Sequence, residues 1–136
     1  MPKILLLLIF LVSFSVSYSQ DNTYDYYSVS EMYDEENDQW RSVVGIAKFG
    51  YETIDIEFDN GITFNMLVDL NNRVNEEVDS QTHSHFDARF EFSFLDGSYF
   101  GTLLVIYDAE DTPIAVNAHI GSEENEVTFS VRIRPL

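Results

Sequence analysis

From His83 to Phe94 the side chains sort by parity: Ser84, Phe86, Ala88, Phe90, Phe92 and Phe94 fall on one side, His83, His85, Asp87, Arg89, Glu91 and Ser93 on the other. A helix at 3.6 residues per turn cannot sort residues this way, whereas a strand does so because successive side chains point to opposite faces. A strand with phenylalanines along one face has to bury that face, so the chain must build its interior from strands.

The same two-residue period recurs along the chain. Ile54, Ile56 and Phe58 alternate with Asp55, Glu57 and Asp59; Asn60-Gly61 interrupts; Ile62, Phe64, Met66 and Val68 resume the pattern. Asn-Gly between alternating runs is a strong hairpin signal, because both residue types tolerate positive φ. Further strands are expected over Tyr24–Tyr33 and Trp40–Phe49, around the acidic turn Asp34-Glu35-Glu36-Asn37-Asp38, with a bulge or bend near Gly45 and Gly50. Tyr99–Tyr107, with apolar residues on both faces, predicts a central strand or one lining an interior beneath a second apolar layer. The runs Ile114–Ile120 and Val127–Ile133 complete the set. The fold class is therefore all-β: about eight antiparallel strands in a meander, forming a barrel or a two-layer sandwich. One stretch breaks the pattern. Leu70, Val74 and Val78 stand four apart in a polar background, which predicts a short helix near 69–80 or a structured loop.

With 136 residues, 45% of them hydrophobic, the chain supports one domain with a real core. Its start follows the plan of a secretory signal peptide: Lys3, an apolar run from Ile4 to Val12, then small residues up to Ser19. The apolar run is shorter than the roughly 20 residues that span a bilayer. The expectation is a leader over 1–19, cleavage before Gln20, a single all-β domain over 20–136, and a secreted or periplasmic product with no stable membrane anchor after cleavage.

Charge and composition exclude several roles. Twenty-four Asp and Glu against 7 Lys and Arg give a formal charge of −17, which repels a phosphate backbone and argues against nucleic acid. The absence of cysteine removes disulfides, thiolate nucleophiles and zinc–thiolate sites. No phosphate loop, dinucleotide fingerprint, zincin motif or nucleophile elbow is present, so no cofactor and no catalytic set is expected.

Three candidate sites remain. His83 and His85 project from the same face of one strand, roughly 6.5–7 Å apart by strand rise, and His119 on a later strand would complete a metal site if those strands were neighbours. Against that, Arg89 and Glu91 continue the same polar row, as on any solvated strand face. Acidic turns lack the calcium-loop pattern, but in an up-and-down order Asp34, Glu35, Glu36, Asp38, Asp59, Asp96, Glu123, Glu124 and Glu126 gather at one end, a negative rim suited to a basic protein or simply to solubility. If the strands close as a barrel, Phe64, Met66, Phe86, Phe90 and Phe92 would wall a cavity for a small apolar ligand, or else fill it. The tyrosines Tyr24, Tyr26, Tyr27 and Tyr33 with Trp40 either stack a ligand or pack as ordinary strand residues.

An eight-stranded meander resembles lipocalin-type barrels in architecture. The Gly-x-Trp those barrels carry near the first strand is missing, since Trp40 follows Asp38 and Gln39, so only the architecture is shared. Non-catalytic binding of a small apolar ligand is the leading expectation, beside an interaction or inhibitor module using the acidic rim and a small metal-dependent enzyme.

Overall fold

The computed structural model describes residues 23–121 and 126–136; the leader and Glu123 and Glu124 of the acidic rim lie outside the described residues. Eight strands follow one another: β1 (Asp25–Asp34), β2 (Gln39–Phe49), β3 (Thr53–Phe58), β4 (Thr63–Val78), β5 (Gln81–Phe92), β6 (Tyr99–Tyr107), β7 (Pro113–Ile120) and β8 (Val127–Pro135). Each pairs antiparallel with the next, and β8 pairs back onto β1, with Val29 opposite Ile133 and Met32 opposite Val131. The sheet is thus a closed up-and-down barrel rather than a sandwich, and closure leaves no unpaired edge.

Closure fixes what each face of the alternation meets. Ile54, Ile56, Phe58, Phe64, Met66, Phe86, Ala88, Phe90 and Phe92 point inward and are buried. Asp55, Glu57, Asn65, Asp87 and Glu91, the residues between them, point outward. Burying a phenylalanine fully is worth roughly 1.5–3 kcal/mol, so the interior rings supply much of the driving force for closing the sheet. The outer face of β6 has no second apolar layer among the described residues: Leu104 and Ile106 are half-covered and Phe100 is exposed.

The turns joining β1–β2, β3–β4 and β5–β6 emerge at one end of the barrel, and the β2–β3, β4–β5 and β6–β7 turns at the other. The β3–β4 hairpin forms where expected, but only Gly61 takes positive φ (88°). Phe58 N–H donates to the Ile62 carbonyl and Gly61 N–H to the Phe58 carbonyl, which makes a loop of three residues with glycine in the left-handed position. The irregularity expected near Gly45 is a register break between β1 and β2, where Val29 pairs with Gly45 and Glu31 already pairs with Ser42.

The helix expected near 69–80 is absent. That stretch is the second half of β4, interrupted by a wide bulge: Asp69 pairs with Asp87 and Val74 with His85, so Leu70, Asn71, Asn72 and Arg73 stand opposite Phe86 alone. Asp69 holds the bulge, its carboxylate accepting from the Asn71 backbone N–H (3.0 Å) and from the Asn72 side chain (3.0 Å). The spacing of Leu70, Val74 and Val78 that imitates a helical stripe arises from these extra residues. A two-residue turn with Asp79 and Ser80 both at positive φ (49° and 69°) then returns the chain into β5.

Candidate functional site

The two ends of the barrel interior are filled differently. At the end of the acidic turns, Phe64 packs edge-to-face with Phe58 (centroids 5.2 Å) and Phe92 (5.1 Å), and Phe129 lies 4.9 Å from Phe64. Gly45 makes room for this cluster, because a methyl group there would sit 3.2 Å from the Phe58 ring and 2.9 Å from the Glu57 carbonyl. Of the expected ligand walls, Phe64, Phe90 and Phe92 belong to this packed end, and Met66 is fully buried in the layer beside it. Phe86 alone reaches an opening.

That opening is the opposite mouth. A cavity of about 390 Å³ is lined by Tyr27 of β1, Phe49 of β2, Ile54 of β3, Val68 and Leu70 of β4, Phe86 of β5, Tyr107 of β6 and Pro113 of β7, with Asp25 and Asp111 at its lip. The Tyr27 and Phe49 rings meet edge-to-face at 5.2 Å. Above this apolar floor lies a polar collar of Arg73, Asn75, Glu77, Thr82, Tyr107 and Asp111, enclosing a further space of about 570 Å³.

The bulge creates the collar. Before it, even-numbered residues of β4 (Phe64, Met66, Val68) face inward. The extra residues reverse the parity, so that Asn75 lies directly opposite inward-facing Ser84 while Val74 turns outward and is 61% exposed. Ser84 is the single buried polar side chain among the described residues. Its hydroxyl donates to Asn75 Oδ1 (2.7 Å) and accepts from Arg73 Nη2 (3.2 Å), and Arg73 Nε donates to the same Asn75 oxygen (3.0 Å). The guanidinium thus stands over the Phe86 ring, 5.4 Å from its centroid. Arg73 lines both the floor and the collar, and no carboxylate forms an ion pair with it among the described residues.

Burial pushes the phenol pKa of both mouth tyrosines up. For Tyr107 burial is the main cause, Arg73 works against it, and Tyr27 and Asp111 add to it. For Tyr27 burial leads and the Asp25 charge adds. Both therefore offer protonated hydroxyls across the neutral pH range.

The histidines are not gathered. His83 meets the Gln81 amide (3.4 Å), His85 faces Glu76 (3.7 Å), and His119 contacts Glu126. β5 and β7 are separated by β6, so the row of His85 and the row of His119 lie roughly 10 Å apart at about 4.8 Å per strand. Among the described residues no three His, Asp or Glu side chains are placed to hold a metal ion, which corrects the expectation for His83, His85 and His119.

Among the described residues, Asp34, Glu35, Glu36, Asp38, Asp59 and Asp96 lie in turns at the packed end of the barrel. Asp34 caps its own turn, accepting from the Glu36 and Asn37 backbone N–H groups and from Arg41, and bonds from Asn37 first and Arg41 second hold its carboxyl below the usual carboxylate range. The N-terminal aromatics divide between the mouth (Tyr27) and the outer wall, where Tyr33 packs on Trp40 (5.3 Å), Arg132 lies over Trp40 (3.9 Å) and Lys48 over Tyr24 (4.0 Å). A larger groove, about 660 Å³, runs over the outer wall past Tyr51, Leu67, Arg89 and Phe100. It adjoins the mouth cavity, since Tyr51, Val68 and Leu70 border both spaces.

No family model matches the chain, and neither a curated protein nor a solved structure does. What the geometry defines is a class: a closed, eight-stranded up-and-down β-barrel with an apolar interior opening at one end.

Proposed function

We propose that the protein is a non-catalytic carrier or scavenger that holds a small apolar ligand in the open mouth of the barrel. The observation that carries this reading is the cavity of about 390 Å³ walled by Tyr27, Phe49, Ile54, Val68, Leu70, Phe86 and Pro113, a volume within the range of small-molecule sites. The packed phenylalanines at the other end support it by giving the ligand a floor that does not depend on ligand to stay folded. Titration with the uncharged dye aminoanthracene tests it. Fluorescence should rise to saturation with one site per chain, and Leu70→Trp, which fills the mouth from a half-buried position, should abolish the rise with the β-sheet circular dichroism unchanged. No saturable rise, or equal binding by the variant, would reject the pocket.

We also propose that the protein works outside the cytoplasm, as a secreted or periplasmic carrier, a reading supported by the leader-like pattern of Lys3, the apolar run Ile4 to Val12 and the small residues up to Ser19. Outward Asp55, Glu57, Asp87, Arg89 and Glu91 around an apolar interior suit a barrel surrounded by water, the reverse of the apolar outside and polar lumen of a membrane barrel. Expression with the native leader should release a chain beginning at Gln20 by mass spectrometry; an intact Met1 in the extracytoplasmic fraction would contradict it.

A second reading draws on the convergence of Asp34, Glu35, Glu36, Asp38, Asp59 and Asp96 at the opposite end, which would attract a basic protein. Oligolysine should then bind at low salt and be released at about 1 M, where the Debye length is near 3 Å. Binding that survives this salt would be of another kind.

A further inference from the structure

Resting on the pocket reading above, we propose that the ligand is an amphiphile with a carboxylate head, received by the Arg73 guanidinium where the apolar floor meets the polar collar. Arginine presents five N–H donors in a planar fork. Two are engaged, Nε by Asn75 and one on Nη2 by Ser84; the others have no hydrogen-bond partner among the described residues, although the side chain borders both parts of the cavity.

Those two bonds orient the group. Ser84 is fully buried, fixed in the β5 ladder opposite Asn75, and the guanidinium stands over the Phe86 ring. A cation already held in place receives an anion without the ordering cost a free arginine would incur, and a charge-assisted, two-pronged contact suits a carboxylate better than a hydroxyl. Tyr107 borders the same two spaces and keeps its proton, so its hydroxyl is a further donor for the head group. The tail of such a ligand would lie along Val68, Leu70, Phe86 and Ile54 below.

Three carboxylates oppose an anion here: Asp25 on β1, Glu77 on β4 and Asp111 in the β6–β7 turn. All three are exposed, as Arg73 is, and screened over a Debye length of about 8 Å at physiological salt, while the guanidinium is held by Asn75 and Ser84. The turns carrying Asp34, Glu35, Glu36, Asp38, Asp59 and Asp96 are at the far end of the barrel, while Asp108 and Glu110 share the β6–β7 turn with Asp111 at this end.

Calorimetric titration at neutral pH with decanoate and with decanol separates the head group from the tail. The purified protein should bind decanoate at least about tenfold more tightly than decanol, in keeping with a hydrogen bond to a charged group. Arg73→Met should weaken decanoate by about the same factor and leave decanol within about twofold, since only the charged contact is lost. Glu77→Gln and Asp111→Asn should each tighten decanoate modestly. Equal affinity for the two ligands, or an Arg73→Met variant that weakens both alike, would overturn the carboxylate assignment while leaving the apolar pocket standing. Weaker decanoate binding in Glu77→Gln or Asp111→Asn would also overturn it, by making those groups part of the head-group site. Failure of the wild-type protein to bind either ligand would remove the pocket reading as well.

Discussion

The two ends of this barrel are built from the same alternating pattern yet do opposite things. At one end Phe58, Phe64, Phe92 and Phe129 meet ring against ring; at the other Tyr27, Phe49, Phe86 and Tyr107 stand around a space. Ring size does not separate them, because both ends are aromatic. The difference lies in β4, where the ladder is continuous from Phe64 to Val68 and then broken by the bulge before Val74. An unbroken ladder keeps large side chains aimed at one another across the interior. The bulge replaces the next inward apolar positions with Arg73, Asn75 and Glu77, none of which can fill an apolar core. Close packing is therefore concentrated at one end and open space at the other, and under the proposed function the rigid end carries the less constrained site.

The largest expected effect tests the packed end. Phe90 is fully buried, 6.4 Å from Phe129, and Phe90→Ala should lower unfolding free energy by roughly 3–5 kcal/mol in urea titrations. Leu70→Ala, at the half-buried mouth, should cost less than about 1.5 kcal/mol, because a residue already beside a cavity loses few contacts. Similar costs for the two would erase the contrast between the ends.

Next comes the bulge itself. Deleting Asn71, Asn72 and Arg73 sets Leu70 opposite Phe86 with Val74 still opposite His85, restoring a continuous ladder. Stability should then change by no more than about 1 kcal/mol in either direction, because the loop shortened is small and its ends are already fixed in the sheet. Any preference for decanoate over decanol should vanish. A deletion variant that fails to fold would mean the bulge is structural rather than a device for carrying Arg73.

A smaller effect belongs to the hairpin overhanging the mouth. Ser80 takes a φ of 69°, which a side chain tolerates poorly, so Ser80→Gly should add about 1 kcal/mol of stability or somewhat less. Thermal denaturation reads this directly; a loss of stability would mean that the serine side chain contributes to the turn.

The smallest effect is confined to alkaline pH. Burial raises the Tyr107 phenol above its ordinary pKa, so the stability tied to its neutral form is fully present below the unfolded value, near 10, and is lost as pH rises through the folded value. Absorbance titration should find Tyr107 ionising above the ordinary phenol range, and Tyr107→Phe should flatten the loss of stability at alkaline pH. Unchanged alkaline behaviour in that variant would place the titration elsewhere.

Much of the barrel is legible in the sequence because a two-residue period survives wherever the ladder is regular. His83–Phe92, Ile54–Phe58 and Ile62–Val68 could be assigned faces from parity alone, and the structure buries Phe86, Phe90, Ile56 and Met66 as that parity requires, whereas Phe94, expected on the same face, lies beyond the end of β5 and is exposed. The mouth was hidden for the same reason. Parity carried on from Val68 would put Val74 inside and Arg73 outside, and the bulge inverts both. Asp69-Leu70-Asn71-Asn72 did hold a signal, an Asx turn anchored by Asp69, but it reads equally as a weak helix start. The Asp79-Ser80 turn lacks the glycine that marks such hairpins. His83, His85 and His119 share outward parity, yet parity says nothing about lateral distance, and an intervening strand separates the first two from the third.

The most direct measurement of the division between the ends is a nuclear magnetic resonance titration with decanoate. Shift changes should be confined to the mouth, at Tyr27, Ile54, Leu70, Arg73, Ser84, Phe86 and Tyr107, while Phe58, Phe64, Phe92 and Phe129 stay still. Changes centred on the phenylalanine cluster, or spread evenly over the barrel, would contradict the account.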